Sequence, residues 1–124
     1  RRRQVGFDDI LLCDLVGLNE DSALSMLLVR LAASRDGKLN VRVRARSFDT
    51  MLAMIQAELG VGLVPQGVAR WLAVSKAFRQ VEIAEPWARR QFVLCHRHAP
   101  DISSAALSVA EFLAESAQRE PLPA

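Results

Sequence analysis

The stretch from 47 to 65, SFDTMLAMIQAELGVGLVP, constrains the fold more than any other part of the chain. Ser47 stands where a helix N-cap belongs, and Asp49 falls in the first turn, where its charge complements the exposed N–H groups. Phe48, Met51, Leu52, Ile55 and Leu59 recur at helical spacing and mark one apolar face. Gly60 is placed to end that helix at C′, with positive φ. Val61 to Val64 offer no polar side chain to either face, so a strand there must be covered on both sides, as in a parallel sheet. Pro65 suits the first position of a new helix, because its missing N–H has no helical partner anyway. A helix feeding a doubly buried strand that feeds another helix is the rhythm of a right-handed βαβ layer.

The rest of the chain keeps that rhythm. A short helix or turn around Phe7 to Leu12 precedes LVGL (15–18), a brief buried strand. NEDSA supplies turn and cap, Leu24, Leu27, Leu28 and Leu31 follow the i, i+3, i+4, i+7 rule, and Asp36-Gly37 stops the helix. VRVRAR (41–46) alternates strictly, which predicts a strand with Val41, Val43 and Ala45 inward and Arg42, Arg44 and Arg46 on one outer face. The 48–59 helix, the 61–64 strand and a helix from Pro65 to about Val74 come next, the last burying Val68, Trp71 and Leu72. QVEIA (80–84) and QFVLCH (91–96) read as strands with EPWARR between them. A final helix from about Ser103 to Ala117 buries Ala106, Val109, Ala110, Phe112 and Leu113. The fold class is α/β, an open, mostly parallel sheet flanked by helices. Residues 85–90, where two strands follow each other with no helix between, predict a chain crossing between two lobes.

Several function classes fall away. The net charge of +2 includes Arg1, Arg2 and Arg3; without them thirteen basic residues face fourteen acidic ones, or −1, which is no electrostatic footprint for DNA. No apolar run approaches the ~20 residues of a membrane helix. QVGFDDI places acids where a signal peptide would be apolar, so none is expected. Cys13 and Cys95 stand far apart in no paired motif and read as reduced, cytosolic thiols. In CHRH, His96 and His98 would point to one side of a strand and Cys95 to the other, too few ligands for zinc. No nucleophile elbow, dinucleotide fingerprint or P-loop occurs, so neither catalysis nor a cofactor is expected.

Ligands of open α/β sheets sit beyond the carboxyl ends of the strands, where helix N-termini point. Three such corners occur, at Asn19 to Ala23, Ser47 to Phe48 and Val64 to Gln66. Each offers backbone N–H groups and two add a serine hydroxyl, enough for a small carboxylate or a neutral polar ligand. The plainer reading makes Ser22 and Ser47 caps and nothing more. Gly62 admits a close approach by a ligand or a packing neighbour alike. The arginine face is a partner surface, an anion stripe, or solvated cover for an edge strand; the last is favoured. Trp71 and Trp87 are packing residues, Trp87 partly exposed.

DLVGLNEDSAL, SFDTMLAMIQAELGVGLVP and VEIAEPWARRQFVLCHR together resemble the C-terminal effector-binding domain of LysR-type transcriptional regulators. The resemblance runs in register from about Phe7 to Arg97; the closing helix fits more loosely. It implies a periplasmic-binding-protein-like domain of two hinged α/β lobes, with a small-molecule inducer in the cleft, DNA bound through an N-terminal winged helix-turn-helix, and a cytoplasmic homo-oligomer. Carried onto this chain, 1–14 is a leading segment, 15–84 the second lobe, 85–90 the second crossing, 91–118 a strand and helix returning to the first lobe, and 119–124 a tail. The implied effector contacts are Ser22, Ala23, Ser47, Phe48, Val64 and Pro65, and the implied partner surface is the 22–35 helix with the 41–46 strand. The helix-turn-helix and most of the first lobe are not in the sequence, so a fragment with half a cleft and weak or no inducer binding is expected. A solute-binding protein of a transporter shares the architecture and is the alternative.

Overall fold

The structure, a computed structural model, describes residues 4–73 and 78–119, and for Trp71, Leu72, Ala73 and Ala99 the backbone only. Chain order is β1 (Gln4–Val5), α1 (Phe7–Leu11), β2 (Asp14–Leu18), α2 (Ala23–Ala33), β3 (Asn40–Ala45), α3 (Phe48–Gln56), α4 (Gln66–Ala73), β4 (Glu82–Ile83) and α5 (Ser104–Arg119). The chain divides into two compact units, Arg1–Ala88 and Arg89–Ala124.

In the first unit every strand pairing is parallel: β1 with β4, and β2 with β3. Val61 extends the second pair, accepting from Val16 N–H at 2.8 Å and donating to the Asp14 carbonyl at 2.9 Å. The expected 61–64 strand is therefore a single parallel bridge. Beyond it the side chains still alternate, Leu63 packing with the cluster of Phe7, Ile10, Leu15, Leu28 and Ala32, and Val64 with that of Val16, Ala45 and Met51. The sheet thus has one core on each face, the α/β layering the sequence called for. Among the described residues, Phe7, Leu15, Met51 and Val16 are the largest of the fully buried side chains. The stripe predicted through Trp71 and Leu72 lies outside the described side chains, whereas Val68 is half-buried.

The VRVRAR strand departs from the prediction. Leu15 faces Val41, yet Val16 faces Val43, so Arg42 is the extra residue of a bulge. One inserted residue flips everything after it to the opposite face. Val41 packs with Leu15 on the α2 side, while Val43 and Ala45 pack with Val16 on the α3 side. The three arginines do not share a face. Asp14 braces the bulge, accepting from Asn40 Nδ2 and, at 3.0 Å, from Arg42 Nη1.

Helix ends also differ from the prediction. α3 closes with a Schellman motif, Glu58 N–H to the Ile55 carbonyl at 2.9 Å and Leu59 N–H to the Met54 carbonyl at 3.2 Å. The left-handed residue is Glu58 (φ 61), so Gly60 is not the C′ residue. Gly60 serves another need: a Cβ there would lie 2.5 Å from the Asp14 carbonyl oxygen, where 61 meets β2. At Gly62 a Cβ would meet Ile55 Cδ1 at 2.7 Å and Met51 Sδ at 2.9 Å, so packing accounts for that glycine. α2 ends as predicted at Asp36-Gly37, with Gly37 N–H on the Ala32 carbonyl at 2.9 Å.

The second unit realises the last helix but not its burial. No residue of α5 is buried, and Phe112 is 67 % exposed. QFVLCH forms no ladder: no described strand pairs with it, and Phe92, Val93 and Leu94 are exposed. A strand needs a neighbour for its backbone groups, and the described elements of this unit are one 3-10 turn and one helix.

Candidate functional site

Parallel pairing carries the ends of β2, β3 and residue 61 toward the same edge of the sheet, and each end leads into the N-terminus of α2, α3 or α4. The first turn of each helix has N–H groups without intrahelical partners. Ser22 Oγ accepts the Ser25 N–H at 3.1 Å and donates to Ser25 Oγ at 2.9 Å; Ser25 Oγ in turn donates to the Leu18 carbonyl at 3.2 Å. Ser47 Oγ accepts the Thr50 N–H at 3.3 Å and donates to Thr50 Oγ1 at 3.1 Å. Both hydroxyls act as caps, and each keeps a lone pair for another donor. Ala23 and Pro65 are exposed, whereas Phe48 and Val64 turn their side chains into the α3-side core, leaving backbone at the edge. Pro65 immediately precedes α4 rather than opening it, its carbonyl accepting the Ala69 N–H at 2.9 Å.

Arg44 is the charged residue that the sequence pattern hid at this edge. Past the bulge it lies on the α2 side beside Gly17, donates from Nη1 to the Leu18 carbonyl at 2.9 Å and pairs through Nη2 with Glu20 at 3.3 Å. A cavity of about 30 Å³ runs beneath, its lining apolar except for Ser25 and Arg44. It has room for about one water, so it is a packing gap and not a ligand chamber. Nothing in the 41–46 alternation announces a bulge; Ser25, three residues after Ser22 within an apolar stripe, was the legible signal.

At the other end of α2 a second polar cluster joins three elements. Arg35 donates to Asp8 Oδ1 and to Glu85 Oε2, each at 3.0 Å, and its guanidinium sits 5.0 Å from the Phe7 ring centre. Glu85 Oε1 accepts the Phe7 N–H at 2.8 Å, serving the first turn of α1. The Phe7 amide, then Arg35, hold the Glu85 carboxyl below the usual glutamate range against partial desolvation; charge attraction from Arg35 adds to this, and Trp87 contributes least. Glu85, then Asp8, raise the Arg35 pKa through their hydrogen bonds. Trp87 meets Phe7 edge-on at 5.5 Å, and its indole N–H is buried short of hydrogen-bond geometry with any acceptor.

Among the described residues no group of His, Cys, Asp and Glu could hold a metal ion, and no helix is long and apolar enough to cross a membrane. Cys13 and Cys95 are both free.

Parallel strands in open sheets flanked by helices make an α/β domain consistent with the periplasmic-binding-protein kind. The family model of the LysR substrate binding domain matches residues 1–118, and the chain belongs to that family. It is a family of transcriptional regulators, not of enzymes. No curated protein and no solved structure matches the chain.

Proposed function

We propose that the chain is the effector-sensing module of a LysR-type regulator, binding a small organic acid or polar metabolite at the edge formed by Ser22, Ala23, Ser47, Phe48, Val64 and Pro65. The observation that carries this is the parallel register, which sends three helix N-termini to one strand edge. Backbone N–H groups of Ala23, Phe48 and the residue after Pro65 supply donors, and the cap hydroxyls supply further polar contacts. The domain works as a cytoplasmic regulator, bound to DNA through an N-terminal winged helix-turn-helix, with effector shifting the balance between lobe arrangements. Residues 85–90 are the second crossing and 91–118 the return to the first lobe. Exposed Phe92, Val93, Leu94 and the apolar side chains of α5 support this, because such a surface gains stability when covered. Homo-oligomers form through 22–35 and 41–46; the exposed Met26 and Val29 of α2 support that surface.

The test is an amide-resolved NMR titration of the chain with a panel of small organic acids and their neutral amides. Saturable shifts confined to Ala23, Phe48 and Gln66 with at least one compound are expected. Shifts elsewhere in the chain only, for every compound, would sink the reading.

A further inference from the structure

Between β4 and the division of the chain after Ala88 lie Glu85 and Trp87, and this short stretch is attached mainly by side chains. The backbone ladder there is minimal: β1 and β4 are two residues each, continued by one bond from Ala84 N–H to the Val5 carbonyl at 2.9 Å. Side chains supply the rest. Glu85 uses one oxygen on the α1 amide of Phe7 and the other on Arg35. Arg35 follows directly on α2, whose opposite end is the Ser22 corner. Trp87 leans on the same Phe7 ring that Arg35 covers.

Two features distinguish this from an ordinary surface ion pair. Only 14 % of the Glu85 side chain is exposed, and its two oxygens bond the Phe7 amide of α1 and Arg35 just beyond α2, so losing it removes both side-chain attachments of the crossover segment. The buried Trp87 N–H falls short of hydrogen-bond geometry and feels only a weak pull from the Glu85 carboxylate, a cost that release into water would relieve. A segment whose attachment rests on one carboxylate, with a poorly satisfied indole N–H beside it, is easily biased between two states.

We propose that Arg35 and Glu85 form a latch that fixes the crossover segment to the end of α2, and that its release, without unfolding of the core, frees the segment carrying Trp87. The inference goes beyond ligand binding and is tested without a ligand. α2 spans from the effector edge to the latch, so a shift of its N-terminal end reaches Glu85 through a rigid helix of eleven residues. Arg35 and Glu85 are positioning residues here, and neither contacts the effector edge.

The experiment is limited trypsin digestion of the 124-residue chain, with a urea melt in parallel. Arg89 and Arg90 are exposed and lie just past the latch, and Arg44 lies within β3, away from it. With E85Q, and again with R35Q, cleavage after Arg89 and Arg90 is expected to accelerate roughly tenfold relative to cleavage after Arg44, which requires β3 to leave its ladder with β2. D8N, which removes the exposed partner of Arg35 only, is expected to change the ratio less than twofold. In a W71F background, acrylamide quenching of Trp87 should rise for E85Q already without urea, below the onset of global unfolding. Equal acceleration at Arg44 would reduce the latch to general stability and overturn the proposal. An unchanged ratio in both latch variants would overturn it as well, as would a D8N effect equal to that of E85Q.

Discussion

The two units carry similar apolar patterns and put them to opposite use. In Arg1–Ala88, Phe7, Leu15, Val16 and Met51 vanish into cores on either side of a parallel sheet. In Arg89–Ala124, Phe92, Val93, Leu94, Val109, Phe112 and Leu113 stay exposed, although α5 forms over sixteen residues. Apolar spacing is thus enough to predict an element but not its burial. Burial needs a second element within reach, and β–α–β order supplies one to each strand and helix of the first unit. Where the order lapses, after Ile83, helix formation persists because its hydrogen bonds are internal, whereas strand formation fails because its bonds are not.

The comparison can be broken at its strongest point. Phe7 is 0 % exposed, so F7A should cost about 3–5 kcal/mol in a urea melt. A cost below about 1 kcal/mol would mean that the first unit is not organised around that ring. G60A should follow at about 1–3 kcal/mol, because a Cβ 2.5 Å from the Asp14 carbonyl forces the backbone at 61 away from β2. A neutral G60A would remove residue 61 from the sheet.

Glu85 makes a pH-dependent prediction within the first unit. Its folded pKa lies below the ordinary one, so its stabilising contribution is fully present above the ordinary glutamate pKa and is lost as pH falls through the depressed value. E85Q should lower the neutral-pH urea midpoint and flatten that acid limb; an unchanged limb would assign the acid sensitivity to other carboxylates. E58G should raise stability by about 1 kcal/mol, since Glu58 holds φ 61 without the freedom of glycine. The smallest effect belongs to the second unit: F112A should stay within about 0.5 kcal/mol. A larger loss would show that α5 is covered in solution, and the contrast between the units would fall.

Much of the candidate edge was legible beforehand. Ser22 and Ser47 stand as the caps their neighbours announced, and the strand-then-helix order was enough to send the corners to one side. Arg44 was not legible, because alternation in VRVRAR is compatible with a straight strand or a bulged one, and only pairing against Leu15 and Val16 distinguishes them. Arg35 and Glu85 are fifty residues apart and carry no motif; their meeting depends on β4 lying beside β1.

The sequence by itself determined the α/β class, the helices of the first unit and the caps at Ser22 and Ser47, because these follow from local hydrogen bonding and the period of apolar residues. Tertiary structure alone decided the bulge at Arg42, the left-handed turn at Glu58, the latch at Glu85 and which apolar faces are covered. Each of these depends on what stands opposite in space, and a one-dimensional pattern does not encode its own neighbours.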